Sequence, residues 1–415
     1  MAADNLNGIL QIVFRILAAS WWIVLPLVLL FIFLDFWLMT VRRGYMLKIK
    51  WKLLEIKIPR EILKTPKAME QVFAAAHAIY SGKMKFWDKW WKGKVDDWMS
   101  FELVGNAGKI HFYIRVAEPF RNLLESAIYA QYPDVEIVES EDYDGLLPSI
   151  LPDKVYDVWG TNFILARENA YPIRTYPYFE EKVEEQRLDP IAAITETISK
   201  LKEDEMIWLQ FLIRPTGDEW KKEGEKITDK LIGRKADKER TLLEELGEFF
   251  LNLIKAPAVH PVWSEENKES SPAGPLTPGE KDVIKAVEEK ISKLGFEAAL
   301  RFVYIDKADA FTRSNVSAIQ GALWQFNTQN LNAFKADGSV TTKADFPFKA
   351  QKIFYRKRRI FDGYKARSFP KKFSIFNTEE LATVYHFPTT SVEAPTLHRL
   401  ESRRGEPPAE LPIVE

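Results

Sequence analysis

Side chains suited to catalysis are few and scattered in this sequence. None of the five histidines lies in an HxxxH or HxH arrangement that would preform a metal site; they are His77, His111, His260, His386 and His398. The carboxylates of EDYD, residues 141–144, follow a predicted strand without an evident partner, so a solvated loop is favoured over an acid/base pair. The sequence therefore predicts no catalytic residue and no metal site.

Motifs for nucleotide or thiol chemistry are also missing. Residues 274–282, GPLTPGEKD, come nearest to a phosphate-binding loop, but Lys281 is displaced, no Ser or Thr follows it, and two prolines interrupt the string. A GxSxG turn is absent, and a chain without cysteine has no thiol nucleophile, iron–sulfur cluster or cysteine-ligated zinc. We expect no cofactor and no enzymatic activity.

One charge cluster could bind a ligand. Residues 349–373, KAQKIFYRKRRIFDGYKARSFPKKF, hold ten Lys and Arg, one Asp and six aromatic residues. Such a segment can hold phosphates and stack bases, lie on anionic lipid headgroups, pair with acidic residues of a partner protein, or form a solvated surface. The candidate binding residues are Lys352, Arg356, Lys357, Arg358, Arg359, Lys365, Arg367, Lys371 and Lys372.

An N-terminal segment is apolar enough to cross a bilayer. Residues 16–39, ILAASWWIVLPLVLLFIFLDFWLM, exceed the roughly 20 residues that a spanning helix needs, whereas a cleaved signal peptide would have a shorter apolar part of about 7–15 residues. Only Arg15 lies close before this span, and five cations follow it: Arg42, Arg43, Lys48, Lys50 and Lys52. The positive-inside rule then predicts a single pass through the cytoplasmic membrane, with the N-terminus outside and the body in the cytoplasm.

Two similar series of helices and strands are predicted after the anchor. In the first, a helix that begins at Thr65 and Pro66 precedes a hairpin of SFELVG and KIHFYIRV, a helix from Glu118, and the strand VEIVE. In the second, a helix from Asp189 leads into a strand at 206–213, followed by a capping box at 277–280, the strand FEAALRFVYI and a further helix. The repeated order indicates internal duplication.

These elements predict an α+β protein, in which an N-terminal transmembrane helix precedes a duplicated ferredoxin-like α/β sandwich with a helical and loop insertion. The predicted divisions are a short extracytoplasmic N-terminus (1–15), the transmembrane helix (16–39), a juxtamembrane basic arm (40–64), a first α+β module (65–185), a second module (186–345) with an insertion (234–278), a basic aromatic segment with the FNTEELATVYHFP motif (346–392), and a proline-rich tail (393–415).

Several strings are similar to a known bacterial family. IHFYIRV (110–116), LLESAIYAQYPDVEIVESEDY (123–143), FNTEELATVYHFP (376–388) and APTLHRLESRRGEPPAELP (394–412) resemble the N-terminal, pre-motor region of membrane-anchored type IV secretion and conjugation coupling ATPases. The resemblance covers the chain from about residue 45 onward. In that family the segment that resembles GEPPAELP leads into an ATPase core with Walker motifs, whereas this sequence ends at Glu415.

The resemblance implies a component of a DNA or protein transfer machine that lacks its own motor. We expect a non-enzymatic, membrane-anchored accessory or scaffold component of a type IV secretion-like, conjugative apparatus. Its partners would be the lipid bilayer through residues 16–39 and protein subunits of the complex, with a separate ATPase among them, in an oligomeric assembly. The alternative is a membrane-tethered nucleic-acid-binding module that acts through residues 349–373.

Overall fold

The computed structural model describes residues 2–59, 62, 64–179, 188–232, 276–389 and 399–400, with side chains for Trp22 and, except in the last pair, from Leu25 onward. Most of the predicted insertion at 234–278, the predicted module boundary at 185–186 and nearly all of the tail after 393 lie outside these residues. The described part is a mixed α+β structure with a large, almost wholly antiparallel sheet and an N-terminal apolar helix, as the sequence predicts in outline.

Ten strands form the sheet within the described residues. Their order is β10-β1-β3-β2-β6-β7-β5-β8, with β4 also paired to β1 and β9 also paired to β7. The strands are β1 (Trp51–Pro59), β2 (Met99–Asn106), β3 (Lys109–Ala117), β4 (Glu136–Glu139), β5 (Tyr156–Leu165), β6 (Met206–Pro215), β7 (Gly295–Lys307), β8 (Phe334–Ala336), β9 (Ser374–Asn377) and β10 (Arg399–Leu400). Only the β1–β10 pairing is parallel.

The described residues also contain ten α-helices. They are α1 (Ala2–Met46), α2 (Pro66–Ala76), α3 (Phe86–Trp90), α4 (Arg121–Gln131), α5 (Ala192–Ser199), α6 (Lys221–Ile232), α7 (Pro278–Ile291), α8 (Ser314–Trp324), α9 (Lys349–Lys365) and α10 (Thr378–Val384). Short 3-10 turns at 77–79 and 118–120 extend α2 and precede α4.

The strand order is the same in the two halves of the sheet. Across the first half the strands lie in the order β4-β1-β3-β2, and across the second half in the order β8-β5-β7-β6. In both halves this is the fourth, first, third and second strand of four. The pairing of β2 with β6, from Met99 opposite Ile213 to Asn106 opposite Met206, joins the halves into one sheet. The segment 51–59, which the sequence analysis places in the juxtamembrane arm, is β1 and lies within the first half.

The sheet buries side chains on both faces. Because successive side chains of a strand point to opposite faces, Phe101 and Leu103 lie in one core while Val104 lies in another. The first core holds buried side chains of α2, α4, α5, α8 and α10, and the second holds those of α9 alone among the helices. Two-sided coverage explains why β6 and β7 are apolar almost throughout rather than alternating.

Local sequence signals account for several of these elements. At the predicted hairpin, Ala107 and Gly108 both have positive φ, at 49° and 78°, as a tight two-residue turn requires. The predicted capping box is present, because Thr277 accepts from the Glu280 amide while the Glu280 carboxylate accepts from the Thr277 amide. The predicted apolar face of α2 is buried: Met69, Val72, Phe73 and Ala76.

Candidate membrane and binding surfaces

Helix α1 exposes a long and mostly apolar surface. The stretch Leu25–Met46 is long and apolar enough to cross a bilayer, and none of it is buried against the body. Phe31 is 72% exposed, and Leu29, Phe33 and Phe36 are also exposed. In water such a surface would be costly, at about 25 cal/mol for each Å² of apolar area. A lipid environment removes this cost, so α1 is the first candidate functional surface.

The C-terminal part of α1 contacts the body through the aromatic segment, residues 83–94 (KMKFWDKWWKGK), which contains α3. The indole Nε1 of Trp37 donates a hydrogen bond to the Trp90 carbonyl oxygen at 3.1 Å, and the Trp37 and Trp91 rings lie 6.3 Å apart. Gly93 adopts φ +65°, and a Cβ there would lie 2.3 Å from the Val41 carbonyl carbon. Only glycine fits this contact. The sequence analysis overlooked this segment, although its dense tryptophans and lysines are visible in the sequence.

On its other side, α1 borders a groove of about 730 Å³. Leu38, Met39 and Trp51 contribute apolar walls, and four cations and one carboxylate also line it: Arg42, Arg43, Arg115, Lys371 and Asp35. Burial lowers the pKa of Arg115 to about 10, and its guanidinium lies 4.1 Å from the centroid of the Trp51 ring. The Nε of Arg42 is buried and has no hydrogen-bond partner. Of the side chains that line this groove, Lys371 is the one that the sequence analysis predicts as a binding residue.

The remaining predicted binding residues lie on or just after α9. This helix packs on the sheet through Ile360, Phe361 and Tyr364, all fully or almost fully buried. Gly160 of β5 lets it approach, because a Cβ at this position would lie 2.9 Å from Cγ1 of Ile360. The predicted cations divide between a face that contacts the body and a face that points to solvent.

Arg367 is the most deeply buried of the predicted cations, with 1% of its surface exposed. Its Nε donates to Glu102 Oε1 at 3.0 Å, and its two terminal nitrogens donate to Asp142 at 2.6 and 2.8 Å. Burial disfavours the charged guanidinium, but Glu102, Tyr143 and Asp142 together outweigh this effect and raise the pKa of Arg367 above its ordinary value. Arg367 is therefore a structural ion-pair partner rather than an accessible binding residue.

Further donors complete the buried polar network around Glu102. Ser100, Tyr143 and Gln210 donate to its carboxylate at 2.8, 2.6 and 2.9 Å. Burial, with the Glu102 charge second, raises the pKa of Tyr143, so this phenol stays protonated and remains a donor. Arg301 extends the network from Gln210 to the backbone carbonyls of Gly363 and Ser368. The network thus fixes the C-terminal end of α9 on the sheet.

Four other predicted cations have partners within the molecule. Lys357 donates to Asp157 at 2.5 and 2.6 Å, and Lys372 lies 3.1 Å from Asp337. Lys365 lies 3.8 Å from Asp144. Arg356 donates to the carbonyl oxygens of Thr341 and Lys343. These contacts hold α9 against the neighbouring loops and leave less of the positive charge for an external ligand.

The outer face of α9 keeps its cations accessible. Lys352 and Arg359 are exposed and make no ion pair within the described residues, and Tyr355 between them is 70% exposed. Their spacing of three and four residues places them on one side of the helix. Arg358 lies over Phe354 instead, 4.7 Å from the ring centroid. Phe346 and Phe348, just before the helix, are exposed at 93% and 70% and add rings that the predicted residues do not include.

Comparison with protein families covers the whole body. A family model described as a domain of unknown function, DUF8128, matches residues 47–399. The chain belongs to the DUF8128 family. The match begins directly after α1 and ends in β10, so among the described elements it includes β1 to β9, the first residue of β10, and α2 to α10. No curated protein matches the sequence.

The FNTEELATVYHFP motif lies inside the DUF8128 region and is almost wholly buried. It supplies part of β9 and all of α10, whose following residue Tyr385 touches Phe101, Phe112 and Phe211 near the β2–β6 pairing. Asn377 and Glu380 form a capping box that starts α10. This motif, one of the strings on which the expected resemblance to coupling ATPases rests, is thus part of the core rather than a surface site.

A buried ion pair and a buried imidazole–carboxylate hydrogen bond hold this motif, and the sequence analysis does not predict either of them. Lys290 of α7 lies 3.0 Å from Glu380, with both side chains fully buried. Burial lowers the pKa of Lys290 and raises that of Glu380, while each charge partly offsets the effect on the other. His386 lies 3.0 Å from Asp189, whose pKa lies below its ordinary value because the imidazole and backbone amides outweigh the effect of burial. Their sequence separations of 90 and 197 residues give no local signal.

Other described residues considered for chemistry in the DUF8128 chain make structural contacts, whereas His260 and His398 lie outside the described residues. His77 bonds with the Thr216 carbonyl, and His111 lies 2.7 Å from Glu55. Asp142 and Tyr143 of EDYD belong to the network around Arg367. Among the described residues, no group of three or more His, Asp or Glu could hold a metal ion.

Proposed function

We propose that this protein is a non-enzymatic, membrane-anchored scaffold component of a type IV secretion-like transfer apparatus. The observation that carries the proposal is helix α1, which exposes apolar side chains such as Leu29, Phe31, Phe33 and Phe36 and contacts the body at its C-terminal end. Such a helix can hold the DUF8128 region at a bilayer. The N-terminus lies outside and the body in the cytoplasm, since the cations follow the span.

The choice of apparatus depends on the resemblance to coupling ATPases. The string at 376–388, with LLESAIYAQYPDVEIVESEDY at 123–143, supports it. A scaffold role is supported by the contacts of the charged residues in these two strings. Glu380, His386 and Asp142 all have partners within the body. The partners in this proposal are protein subunits of the apparatus, including a separate ATPase, in an oligomeric assembly.

We also propose that the two halves of the body are copies of one ferredoxin-like unit. Residues 51–139 and 156–336 each follow the order strand, helix, strand, strand, helix, strand. Each half also has the fourth, first, third, second strand order. Three additional helices interrupt this order: α3 lies between α2 and β2 in the first copy, and α6 and α7 lie between the second and third strands of the second copy. Duplication would give a scaffold two related surfaces for neighbouring subunits.

Topology can be tested with single cysteines because the chain has none of its own. Asp4→Cys and Lys335→Cys would each be treated with a membrane-impermeant maleimide in intact cells and after permeabilisation. We expect labelling at position 4 in intact cells and labelling at position 335 only after permeabilisation. Labelling of both positions in intact cells, or of position 335 alone, would contradict the proposed orientation.

The scaffold role can be tested by purifying the intact chain in mild detergent and identifying the proteins that copurify with it. The proposal expects a secretion ATPase or a channel subunit in stoichiometric amount. A matched preparation that carries Lys281→Ala and Lys285→Ala, two exposed residues of α7, should retain the same copurifying proteins, because the proposal assigns no partner to this surface. Recovery of the bare protein from cells that express the apparatus would contradict the proposal.

The second candidate function is a membrane-tethered nucleic-acid-binding module. It is favoured by the outer face of α9, where Lys352 and Arg359 flank the exposed ring of Tyr355. Cations can contact phosphates there while the ring stacks on a base. Each phosphate that such a cation neutralises steepens the plot of log affinity for single-stranded DNA against log salt by about 0.7.

The double variant Lys352→Ala, Arg359→Ala tests this candidate, and the α7 variant described above is its control. If the α9 face binds DNA, the double variant weakens binding and lowers the salt dependence, while the control changes neither. Equal binding by the two variants would exclude the α9 face as the nucleic-acid site.

A further inference from the structure

The aromatic segment carries an unusual concentration of exposed rings. Phe86, Trp87 and Trp91 are 64%, 65% and 65% exposed, although they lie within six residues of one another. They contact each other, with the Trp87 and Trp91 centroids 5.3 Å apart and those of Phe86 and Trp87 6.1 Å apart. Contiguous exposed rings of this kind mark a surface that is covered in the working protein.

The position of these rings relative to α1 indicates what covers them. Trp91 touches Trp37, and Trp37 lies two residues, or about 3 Å along the helix axis, from the cytoplasmic end of the predicted span at Met39. The Gly93 contact with Val41 places the end of the segment just beyond that level. The three exposed rings therefore lie where the apolar side chains of α1 end and the cations that follow it begin.

Charge in the segment fits the same position. Lys85 and Lys89 are exposed and have no ion-pair partner within the described residues, whereas Lys83 pairs with Glu219 and Lys92 with Asp88. Across α1, the cations of the 730 Å³ groove lie beside the same part of the helix. Indole rings favour the zone between water and hydrocarbon, and lysines beside them favour anionic headgroups.

We propose that the aromatic segment is a second membrane contact, in which Phe86, Trp87 and Trp91 insert into the headgroup zone of an anionic bilayer beside α1. This inference rests on the proposed anchoring by α1. Its consequence is orientation: a single helix leaves the body free to tilt, whereas a second contact on one side of the helix fixes which surface faces the membrane. The segment is thus an interfacial contact and not a site for a protein partner.

Depth measurements on the full chain in vesicles of phosphatidylcholine and phosphatidylglycerol test the inference. A nitroxide is attached to Phe31→Cys on α1, to Lys89→Cys in the aromatic segment, or to Lys109→Cys. The last position begins β3 at the end opposite Ala117, which pairs with Trp51, so it lies away from the membrane side. Accessibility to oxygen and to a water-soluble nickel chelate then gives the depth of each label.

We expect the label at 31 in hydrocarbon, the label at 89 in the headgroup zone and the label at 109 in water. A label at 89 as accessible to nickel as the label at 109 would overturn the inference, and lipid exposure at 31 in the same experiment would show that the anchor itself stands. A water-exposed label at 31 would instead count against the anchoring proposal.

Two variants in the Lys89→Cys background separate the rings from the rest of the segment. Changing Phe86, Trp87 and Trp91 together to Ser should raise nickel accessibility at 89 to the value at 109, while Trp87→Phe with Trp91→Phe should keep it low. Because the rings are mostly exposed, the fold should survive both changes, and the unaltered depth of the label at 31 would confirm that. Protection of position 89 in the Ser variant would also overturn the inference, because the rings would then not be what holds the segment in the headgroup zone.

Discussion

Helix α9 and the segment 374–388 are neighbours in the sequence but lie on opposite faces of the sheet, and their charged residues have opposite environments. In 374–388, the charged side chains of Glu380 and His386 are buried and paired with residues far away in the sequence. On α9, Lys352 and Arg359 are exposed and unpaired within the described structure. Density of charge therefore does not identify a binding surface, because the accessibility of each charged side chain decides what it can contact.

The largest effect should come from breaking the Lys290–Glu380 pair. Lys290→Met leaves the Glu380 carboxylate buried without its cation and should lower the free energy of unfolding by about 3–5 kcal/mol, measured by urea titration of the full chain in detergent. The double variant Lys290→Met, Glu380→Gln should recover part of this loss because no uncompensated charge remains. Lys285→Met on the exposed side of the same helix is the control, and equal losses in both single variants would contradict the comparison.

Next in size should be the effect of Asp189→Asn. The Asp189 carboxylate accepts from His386, from two backbone amides and from the Thr389 hydroxyl, and losing its charge should cost about 1.5–3 kcal/mol at pH 7. The pKa of Asp189 is lower in the folded state than its ordinary value of 3.8, so its stabilisation is fully present above that value and is lost as pH falls through the folded pKa.

Urea titrations between pH 2 and 7 test this direction of the pH dependence. The Asp189→Asn variant should lose less stability on acidification than the parent. A parent and variant with parallel pH profiles would show that the Asp189 charge is not stabilising.

An intermediate effect is expected where α9 packs on the sheet. Gly160→Ala places a methyl group 2.9 Å from Ile360 and 3.1 Å from the Phe302 carbonyl, and such overpacking typically costs about 1–3 kcal/mol. Thermal unfolding followed by circular dichroism would measure it. Adding Ile360→Ala should cost less stability in the Gly160→Ala background than in the parent, because it removes both γ carbons that the new methyl group meets. An unchanged Tm in Gly160→Ala would show that α9 is not held at this position.

The smallest effect on stability should come from the outer face of α9. Lys352→Ala and Arg359→Ala should each change the free energy of unfolding by no more than about 0.5 kcal/mol, because both side chains are solvated and unpaired. The same urea titration measures this. A loss of several kcal/mol would show that these residues, like Arg367, stabilise the fold. The contrast between the two regions would then be wrong.

Local patterns predicted part of the secondary structure of this body, because capping, turn chemistry and apolar spacing act within a few residues, but β5, α3 and α9 were not predicted. The hairpin at Ala107 and Gly108, the capping box at Thr277 and the buried face of α2 follow from such patterns. The environment of the basic segment did not follow from them. Arg367 looks like Arg359 in the sequence, yet its partner Glu102 lies 265 residues away and on another strand. Tertiary pairing of that kind decides which cations stay available.

The aromatic segment shows a different limit. Its composition was visible in the sequence, but its meaning depends on the contacts of Trp37 with Trp90 and Trp91, which join residues more than 50 positions apart. The identity of partner subunits depends on surfaces of other molecules, so neither the sequence nor the fold of this chain alone specifies them.

The pairing of β2 with β6 also affects folding during synthesis, because β2 is made well before its partner strand. Asn106 leaves the ribosome about one hundred residues before its partner Met206. At a synthesis rate of 5–20 residues per second, β2 waits about 5–20 s with an open edge that can pair with another nascent chain. Chaperone supply and translation speed across residues 107–206 should therefore govern the yield of folded protein, independently of how stable the finished sheet is.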